Sequence, residues 1–257
     1  MNALIRTIRD LHRRRGREEK GLALAEGVRL VEEALAAGIA IKGAVVSPAL
    51  QATTRGRALE AALGERHVAL DPVDDAVLAE LADTEHPQGV VAVIETPHWS
   101  LDTFRPAAGG VLLVLDGVQD PGNVGTMART AFALGAAGLI ALKGTADLTN
   151  SKVLRGSMGA LFRLPSFMTD DAEFLAWCKA TGTILVLSDP AGTDVGQYRR
   201  TRGTGMALVV GNEGAGIRKE LEGVASTRLA IPLSEHAESL NVAIAAGILL
   251  YEVLRDR

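Results

Sequence analysis

Apolar and polar positions follow two patterns along the chain, and together these patterns predict an α/β protein. Short apolar runs with the length of buried strands are separated by stretches in which apolar residues recur at helical spacing. The predicted strands lie at 44–47, 89–95, 111–116, 138–142, 183–188, 207–211 and 228–232. In the second half of the chain the strands are continuously apolar and alternate with helices, which indicates a parallel sheet covered on both faces.

Helical spacing predicts helices at 4–15, 22–38, 73–82 and 241–255. In the first of these, Leu4, Ile8 and Leu11 share one face, and Arg6, Arg9 and Arg13 lie on another. The second is predicted to end at Gly38, a common helix terminator.

The segment 96–110 divides the pattern in two. It contains two prolines, ends in two glycines and shows no clear period, so we interpret it as a linker. The predicted organisation is a small α/β domain at 1–95 and a larger α/β domain at 111–257.

Composition limits where in the cell the protein can work, but it does not limit the fold. No uninterrupted apolar run approaches the roughly 18 residues of a membrane span, and the polar N-terminus lacks the features of a secretory signal. Cys178 is the single cysteine, which excludes an internal disulfide and a cysteine-cluster zinc site. We therefore expect a cytoplasmic protein that does not bind membranes.

Basic residues are concentrated at the N-terminus, although the formal net charge of the whole chain is −4. Such an arm can bind phosphates locally because salt screens the rest of the protein beyond about 10 Å. A solvated helix face is the alternative interpretation. The candidate RNA-binding residues are Arg6, Arg9, Arg13, Arg14 and Arg17.

Polar motifs follow three predicted strands, where parallel sheets usually bind ligands. The first is NVGTMAR at 123–129. Asn123 follows a Pro-Gly pair and can cap a helix, which would leave Arg129 about one and a half turns further on. Arg129 is either a surface residue or a group that holds a phosphate or polarises a hydroxyl.

The second motif is GNEGAGI at 211–217. It is not a P-loop, because Ile217-Arg218 stands where Lys-Ser/Thr is required, and it lacks the GxGxxG dinucleotide fingerprint. A tight turn that needs positive φ is the structural alternative. Glu213 would repel phosphates but suits a cationic ligand or an arginine.

The third motif is IPLSEHAESLNVA at 231–243. Ser239 or Asn241 can cap the last helix, and the polar loop before them is long enough to fold over a ligand. His236 has no second His or Cys at ligand spacing, so no metal site is predicted.

In this order and spacing the three motifs resemble the SpoU/TrmH branch of the SPOUT RNA methyltransferases over residues 111–257, and 152–165 resembles that family's intermediate segment. Residues 4–95 resemble the ribosomal-protein-like RNA-binding domain of ribosomal RNA 2′-O-methyltransferases. The resemblance implies a SPOUT α/β domain with a trefoil knot. It also implies S-adenosylmethionine as cofactor, a homodimer formed by the C-terminal domain, and methylation of a ribose 2′-hydroxyl, with 23S ribosomal RNA favoured.

The resemblance also implies roles for individual residues. In the catalytic set, Arg129 would activate the hydroxyl, Asn123 would position the ribose or Arg129, and Glu213 would hold the arginine or the loop. Ser239 and Asn241 would complete the pocket. The cofactor set is Val210, Gly211, Asn212, Gly214, Ile231, Leu233 and Leu240. A tRNA ribose methyltransferase, an antibiotic-resistance methylase with the same layout and a non-catalytic ribosome-assembly factor remain alternatives.

Overall fold

The computed structural model describes residues 2–255, which form two compact units. The first unit consists of Met1–His98 with Thr149–Arg163, and the second of Trp99–Leu148 with Leu164–Arg257. The helices are α1 Ala3–Leu11, α2 Arg14–Lys20, α3 Val28–Ala36, α4 Pro48–Gln51, α5 Thr54–Glu65, α6 Asp75–Leu81, α7 Pro121–Leu134, α8 Ser151–Ser157, α9 Asp171–Thr181, α10 Lys219–Glu222 and α11 Val242–Arg255. The strands are β1 Leu22–Glu26, β2 Ile41–Val46, β3 Leu70–Pro72, β4 Val90–Glu95, β5 Val111–Asp116, β6 Gly138–Leu142, β7 Ser166–Thr169, β8 Ile184–Asp194, β9 Met206–Gly211 and β10 Thr227–Ala230.

The first unit is built on a mixed sheet in the order β1-β4-β2-β3. β4 pairs antiparallel with β1 and β2, whereas β2 and β3 are parallel. Ile8 and Leu11 of α1 pack with Leu78 and Leu81 of α6 over one face of this sheet. The amphipathic pattern of the first helix therefore has a physical basis, because its apolar face covers the sheet.

Two predicted helices in this unit were wrong in their extent. The stretch 22–38 is not one helix, because Leu22–Glu26 pairs with β4 and Gly27, at φ +89°, ends the strand. Helix α3 then begins at Val28, whose N–H donates to the Gln88 side chain. The helix predicted at 4–15 ends at Leu11, since Arg13 has extended backbone.

The segment 149–163 packs with the first unit, although the sequence places it inside the predicted 111–257 domain. Arg163 donates to Glu33 of α3 at 2.9 Å, and Arg155 lies 3.4 Å from the buried carboxylate of Glu26. Gly159 has φ +82°, and a Cβ there would lie 2.6 Å from the Glu33 side chain. The glycine is required by this close approach.

The second unit contains a six-stranded, wholly parallel sheet in the order β10-β8-β9-β5-β6-β7. The predicted parallel α/β sheet is confirmed, with β7 as a strand that the pattern missed because only Phe167 in it is buried. Phe174 and Trp177 of α9 fill the core on one face, and α7 packs against α11. β5 and β9 are central neighbours, with Asp116 opposite Gly211 in register. The second motif therefore starts beside the end of β5.

Among residues 2–255, no helix is long and apolar enough to cross a membrane. The trefoil knot remains an expectation from the resemblance.

Candidate active site

The glycine-rich turn at 211–217 is a tight hairpin held by its own main chain. The backbones of Asn212 and Gly216 exchange two hydrogen bonds of 3.1 and 3.0 Å, and Gly216 has φ +72°. A Cβ on Gly211 would lie 2.5 Å from the backbone of Gly216. The two glycines are thus needed for the turn itself, as the structural interpretation of this motif predicted.

Asn212 is the internal brace of this turn. Its Oδ1 accepts from the N–H groups of Gly214 and Ala215, both at 2.9 Å, and its Nδ2 donates to the carbonyl of Gly117 at 2.8 Å. Gly117 follows β5, so the side chain connects the turn to the neighbouring strand end. Asn212 therefore shapes the turn, in addition to lining the cavity described below.

Side chains from all three motifs form one hydrogen-bonded chain. Asn241 Nδ2 donates to Asn123 Oδ1 at 3.1 Å, and Asn123 Nδ2 donates to Glu213 Oε1 at 2.9 Å. Asn123 lies in the first turn of α7, Glu213 in the glycine-rich turn and Asn241 directly before α11. The structure thus brings together three of the five predicted catalytic residues.

The helix cap on α11 sets the direction of this chain. Asn241 Oδ1 accepts from Ala243 N–H at 2.9 Å, which is the N-cap interaction that the sequence predicted. Its amide nitrogen is then free to donate only outward, to Asn123. Asn123 likewise accepts with its amide oxygen and donates with its amide nitrogen. The series of hydrogen bonds therefore ends at the Glu213 carboxylate, which accepts.

A cavity of about 560 Å³ opens next to this chain of side chains. It lies at the carboxyl ends of β9 and β10 and beside the middle of β8, and it is closed by the residues that precede α11. Its lining includes all seven predicted cofactor residues: Val210, Gly211, Asn212, Gly214, Ile231, Leu233 and Leu240. Glu213, Ser239 and Asn241 also line it, whereas Asn123 and Arg129 do not appear among its described lining residues.

One wall of the cavity was not predicted. Ser188, Asp189 and Pro190 line it where β8 leaves the body of the sheet. Arg228 donates to Asp189, and this hydrogen bond, with a second from Ala191 N–H, holds the pKa of the Asp189 carboxyl below its ordinary value. The sequence signal was the polar run Ser-Asp-Pro at the end of the predicted strand 183–188, a strand-end position like that of the three motifs.

Arg129 is exposed on α7 and is not among the residues that line this cavity. No hydrogen bond or ion pair joins it to another residue in the described range 2–255. The structure therefore does not bring Arg129 to the other predicted catalytic residues. A guanidinium that is exposed and has no partner among the described residues is available to a ligand from outside, such as a phosphate.

Comparison with known proteins decides the family. Residues 110–251 match the model of the SpoU rRNA Methylase family, and residues 2–92 match an MRM3-like substrate binding domain. The chain belongs to the SpoU rRNA Methylase family. This confirms the resemblance of the C-terminal half, and the second match confirms that a substrate-binding domain of this type precedes it.

Relatives of this SpoU-family protein match over nearly its whole length. The 23S rRNA (guanosine(2553)-2′-O)-methyltransferase RlmP of Bacillus subtilis is 34% identical over 98% of this chain and 96% of its own. The 23S rRNA (uridine(2479)-2′-O)-methyltransferase of Streptomyces viridochromogenes is 32% identical, over 96% and 87% respectively.

Solved structures agree with these relatives. An AdoMet-bound rRNA methyltransferase from Sinorhizobium meliloti superposes with a TM-score of 0.86 and 33% identity over 99% of this chain and 95% of its own. The SpoU methyltransferase AviRb from Streptomyces viridochromogenes, in complex with AdoMet, gives 0.87 and 30% over 100% and 98%.

The basic arm of the SpoU-family protein differs from its prediction at one position. Arg17 is buried, with 5% exposure, and donates to the carbonyls of Leu11 and His12 and to Thr149 Oγ1. It is a structural residue in this fold, so its assignment as an RNA contact is corrected. The other four, Arg6, Arg9, Arg13 and Arg14, are exposed.

Acidic neighbours reduce the local charge of this arm. Arg14 pairs with Glu18 at 2.6 Å, and Arg9 lies 3.7 Å from Glu80. Exposed pairs of this kind are weak and can be exchanged for phosphate contacts at little cost.

Proposed function

We propose that this protein transfers a methyl group from S-adenosylmethionine to a ribose 2′-hydroxyl of 23S ribosomal RNA. The observation that carries the proposal is a strand-end cavity lined by the second and third motifs, to which the first motif is joined by hydrogen bonds through Asn241, Asn123 and Glu213. The named relatives act on 23S rRNA at the 2′-oxygen, which supports both the reaction and the class of RNA.

The residues of the cavity fit S-adenosylmethionine. Its volume of about 560 Å³ lies in the range of small-molecule sites, roughly 300–1,000 Å³. Leu233 and Leu240, each more than a third exposed, offer apolar surface for an adenine ring. Gly211, Ile231 and Leu240 line the cavity, and we assign their backbone groups to the adenine and ribose. Glu213 and Glu238 give the wall a negative charge suited to a cationic ligand.

The cofactor supplies an electrophilic methyl group on a sulfonium. The chain must hold the 2′-hydroxyl in line with that methyl and stabilise the charge that develops on its oxygen. Asn123, hydrogen-bonded between Asn241 and Glu213, positions the ribose or Arg129. Arg129 acts as an electrostatic and orienting group, because an arginine stays protonated and is a poor base. Ser239 and Asn241 complete the wall, with no role for a metal ion.

We further propose a homodimer formed through α7 and α11. Ile244, Ile248 and Tyr251 recur at helical spacing on α11 and are 37–55% exposed, and Phe132 of the adjacent α7 is 42% exposed. A contiguous apolar face of this kind is typical of a protein–protein interface. Arg129 lies on the same helix as Phe132, so a partner subunit packed there would lie close to it.

The RNA-binding role of the first unit rests on the exposed arginines Arg6, Arg9, Arg13 and Arg14. A cytoplasmic location stays a prediction, consistent with a ribosomal RNA substrate.

The proposal is tested by mapping 2′-O-methyl groups in total RNA, as alkali-resistant positions, from cells with and without the gene. We expect one position in 23S rRNA to lose its methyl group and to regain it when the purified protein and S-adenosylmethionine are added to the unmodified RNA. Loss of a tRNA methyl group instead would change the substrate, and no loss at all together with no transfer in vitro would favour a non-catalytic assembly factor.

A further inference from the structure

Arg218 follows the glycine-rich turn directly and binds two carboxylates from other elements. Its Nε and its backbone N–H donate to the two oxygens of Asp116 at 2.6 and 2.8 Å. Its Nη1 lies 2.8 Å from a carboxylate oxygen of Asp171. Asp116 ends β5 and Asp171 begins α9, so one guanidinium ties the end of the turn to a strand and a helix.

The burial of this group makes it a strong connection. The Asp116 side chain is 1% exposed, and those of Arg218 and Asp171 are 34% and 24% exposed. A carboxylate as deeply buried as Asp116 must be paired, because an unpaired charge in the interior loses its hydration without compensation. Since Asp116 also binds the backbone N–H of Arg218, the main chain is fixed together with the side chain.

The other end of the turn is held against the same strand. Asp116 lies opposite Gly211 in the β5–β9 register, and the next residue, Gly117, accepts from Asn212. Beyond the turn, Leu221 is fully buried in the core, with Ile217 packed against that core. Both ends of the turn are therefore anchored around Asp116.

The anchored turn is the part that lines the cavity. Gly211, Gly214 and Ile217 line it, whereas Asp116, Asp171 and Arg218 are not among its described lining residues. We propose that Asp116, Arg218 and Asp171 form a clamp that positions the glycine-rich turn for S-adenosylmethionine, so that the clamp sets cofactor affinity without touching the cofactor. This inference rests on the proposed function, and all three are positioning residues.

The test uses Asp116→Asn, which keeps the size of the side chain and removes its charge. It also uses Arg218→Lys, which keeps the charge and removes the guanidinium that contacts two carboxylates at once. Binding of S-adenosylmethionine is measured by calorimetry, and kcat and KM for methyl transfer to RNA are measured separately. We expect Kd and KM for the cofactor to rise about tenfold, because small displacements of binding groups are costly, while kcat at saturating cofactor stays within about threefold. Asp171→Asn should raise Kd less, because the bonds to Asp116 remain. That more exposed variant also gives a readout if Asp116→Asn does not fold.

The matched control is Arg163→Lys in the first unit. Arg163 is nearly as exposed as Arg218, at 33%, and pairs with Glu33 at 2.9 Å, but it lies on no element that lines the cavity. It should lower thermal stability and leave cofactor Kd unchanged.

A folded Asp116→Asn or Arg218→Lys protein with wild-type Kd would overturn the clamp, as would an equal rise in Kd for Arg163→Lys. A wild-type protein that binds the cofactor without methylating RNA would contradict the proposed function alone, and one that does not bind it would contradict both.

Discussion

Asn241 donates a hydrogen bond to Asn123 across 118 positions of sequence, at 3.1 Å. The same Asn241 side chain caps α11 through its oxygen, which confirms the helix-cap interpretation, while its catalytic role stays a prediction. The cap fixes which end of the amide faces Asn123, and Asn123 in turn donates to Glu213. A substitution can therefore separate the two roles.

Asn241→Asp should keep the cap and break the connection. A carboxylate caps a helix as well as an amide does, so thermal stability should change little. It cannot donate to Asn123, and it places a second negative charge near Glu213, so kcat should fall about tenfold to a hundredfold. Asn241→Ala loses both roles and should also lose about 1 kcal/mol of stability. Thermal unfolding and methyl-transfer kinetics check the pair; wild-type kcat in Asn241→Asp would show that the connection is not used.

Arg129→Ala should separate binding from turnover. Arg129 does not line the cavity, so calorimetry should give wild-type affinity for S-adenosylmethionine. Loss of a preorganised charge at the reacting oxygen typically costs about a hundredfold or more in kcat. Arg202→Ala, which removes another exposed arginine of the second unit, is the control and should be active. Turnover near wild type in Arg129→Ala would remove this residue from the catalytic set.

Tyr251→Glu should convert a dimer into a monomer. Tyr251 is 55% exposed on the apolar face of α11, and a charge placed in a buried apolar interface is costly. Light scattering after gel filtration measures the mass, with Glu235→Gln on the 232–239 loop as a control that should leave it unchanged. A wild-type protein that is monomeric at micromolar concentration would contradict the proposed interface.

Removing two exposed arginines of the N-terminal arm should weaken RNA binding in a salt-dependent way. We expect Arg6→Ala with Arg13→Ala to lower affinity and to reduce the salt slope by about one unit for each phosphate that is no longer neutralised. Arg17→Ala should behave differently, because this buried side chain holds two carbonyls, and its loss should lower stability by about 2 kcal/mol. Filter binding at several salt concentrations and chemical unfolding distinguish the two effects.

The His12–Asp83 pair should make the stability of the first unit depend on pH. Nδ1 of His12 lies 3.1 Å from Asp83 and Nε2 is 3.0 Å from the Leu81 carbonyl. The hydrogen bond to Asp83 raises the pKa of His12 above its ordinary 6.5, and the hydrogen bond from His12 lowers the pKa of Asp83 to about 2.

The sign differs for the two partners. The His12 contribution is complete below its unfolded pKa of 6.5 and is lost as pH rises through the higher folded value. The Asp83 contribution is present above 3.8 and is lost as pH falls through about 2. Urea unfolding should therefore show a decline in stability on the alkaline side of pH 6.5 that His12→Gln removes. His86→Gln, on an exposed loop, should leave the decline in place, and a wild-type profile in His12→Gln would contradict the assignment.

The sequence predicted the second unit better than the first, for a physical reason. Strands such as 111–116 and 207–211 are buried on both faces, so a continuous apolar run marks them. Leu22–Glu26 was mistaken for helix because Ala and Leu favour helices, and only pairing with β4 makes it a strand. The motifs that line the cavity could be located because they follow predicted strands, and the family resemblance implied the individual residues. The hydrogen bonds from Arg218 to Asp116 and from Arg17 to Thr149 could not be predicted, because they join residues more than 100 positions apart.

The allocation of 149–163 to the first unit has a practical consequence. The backbone passes from one unit to the other at 98–99, at 148–149 and at 163–164. After a single proteolytic cut near residue 98, the two units therefore stay covalently joined at the other two crossings. A designer who wishes to exchange the substrate-binding unit for that of a relative must transplant two separate stretches of gene, and a swap of the N-terminal stretch alone would leave Arg155 and Arg163 facing a foreign surface.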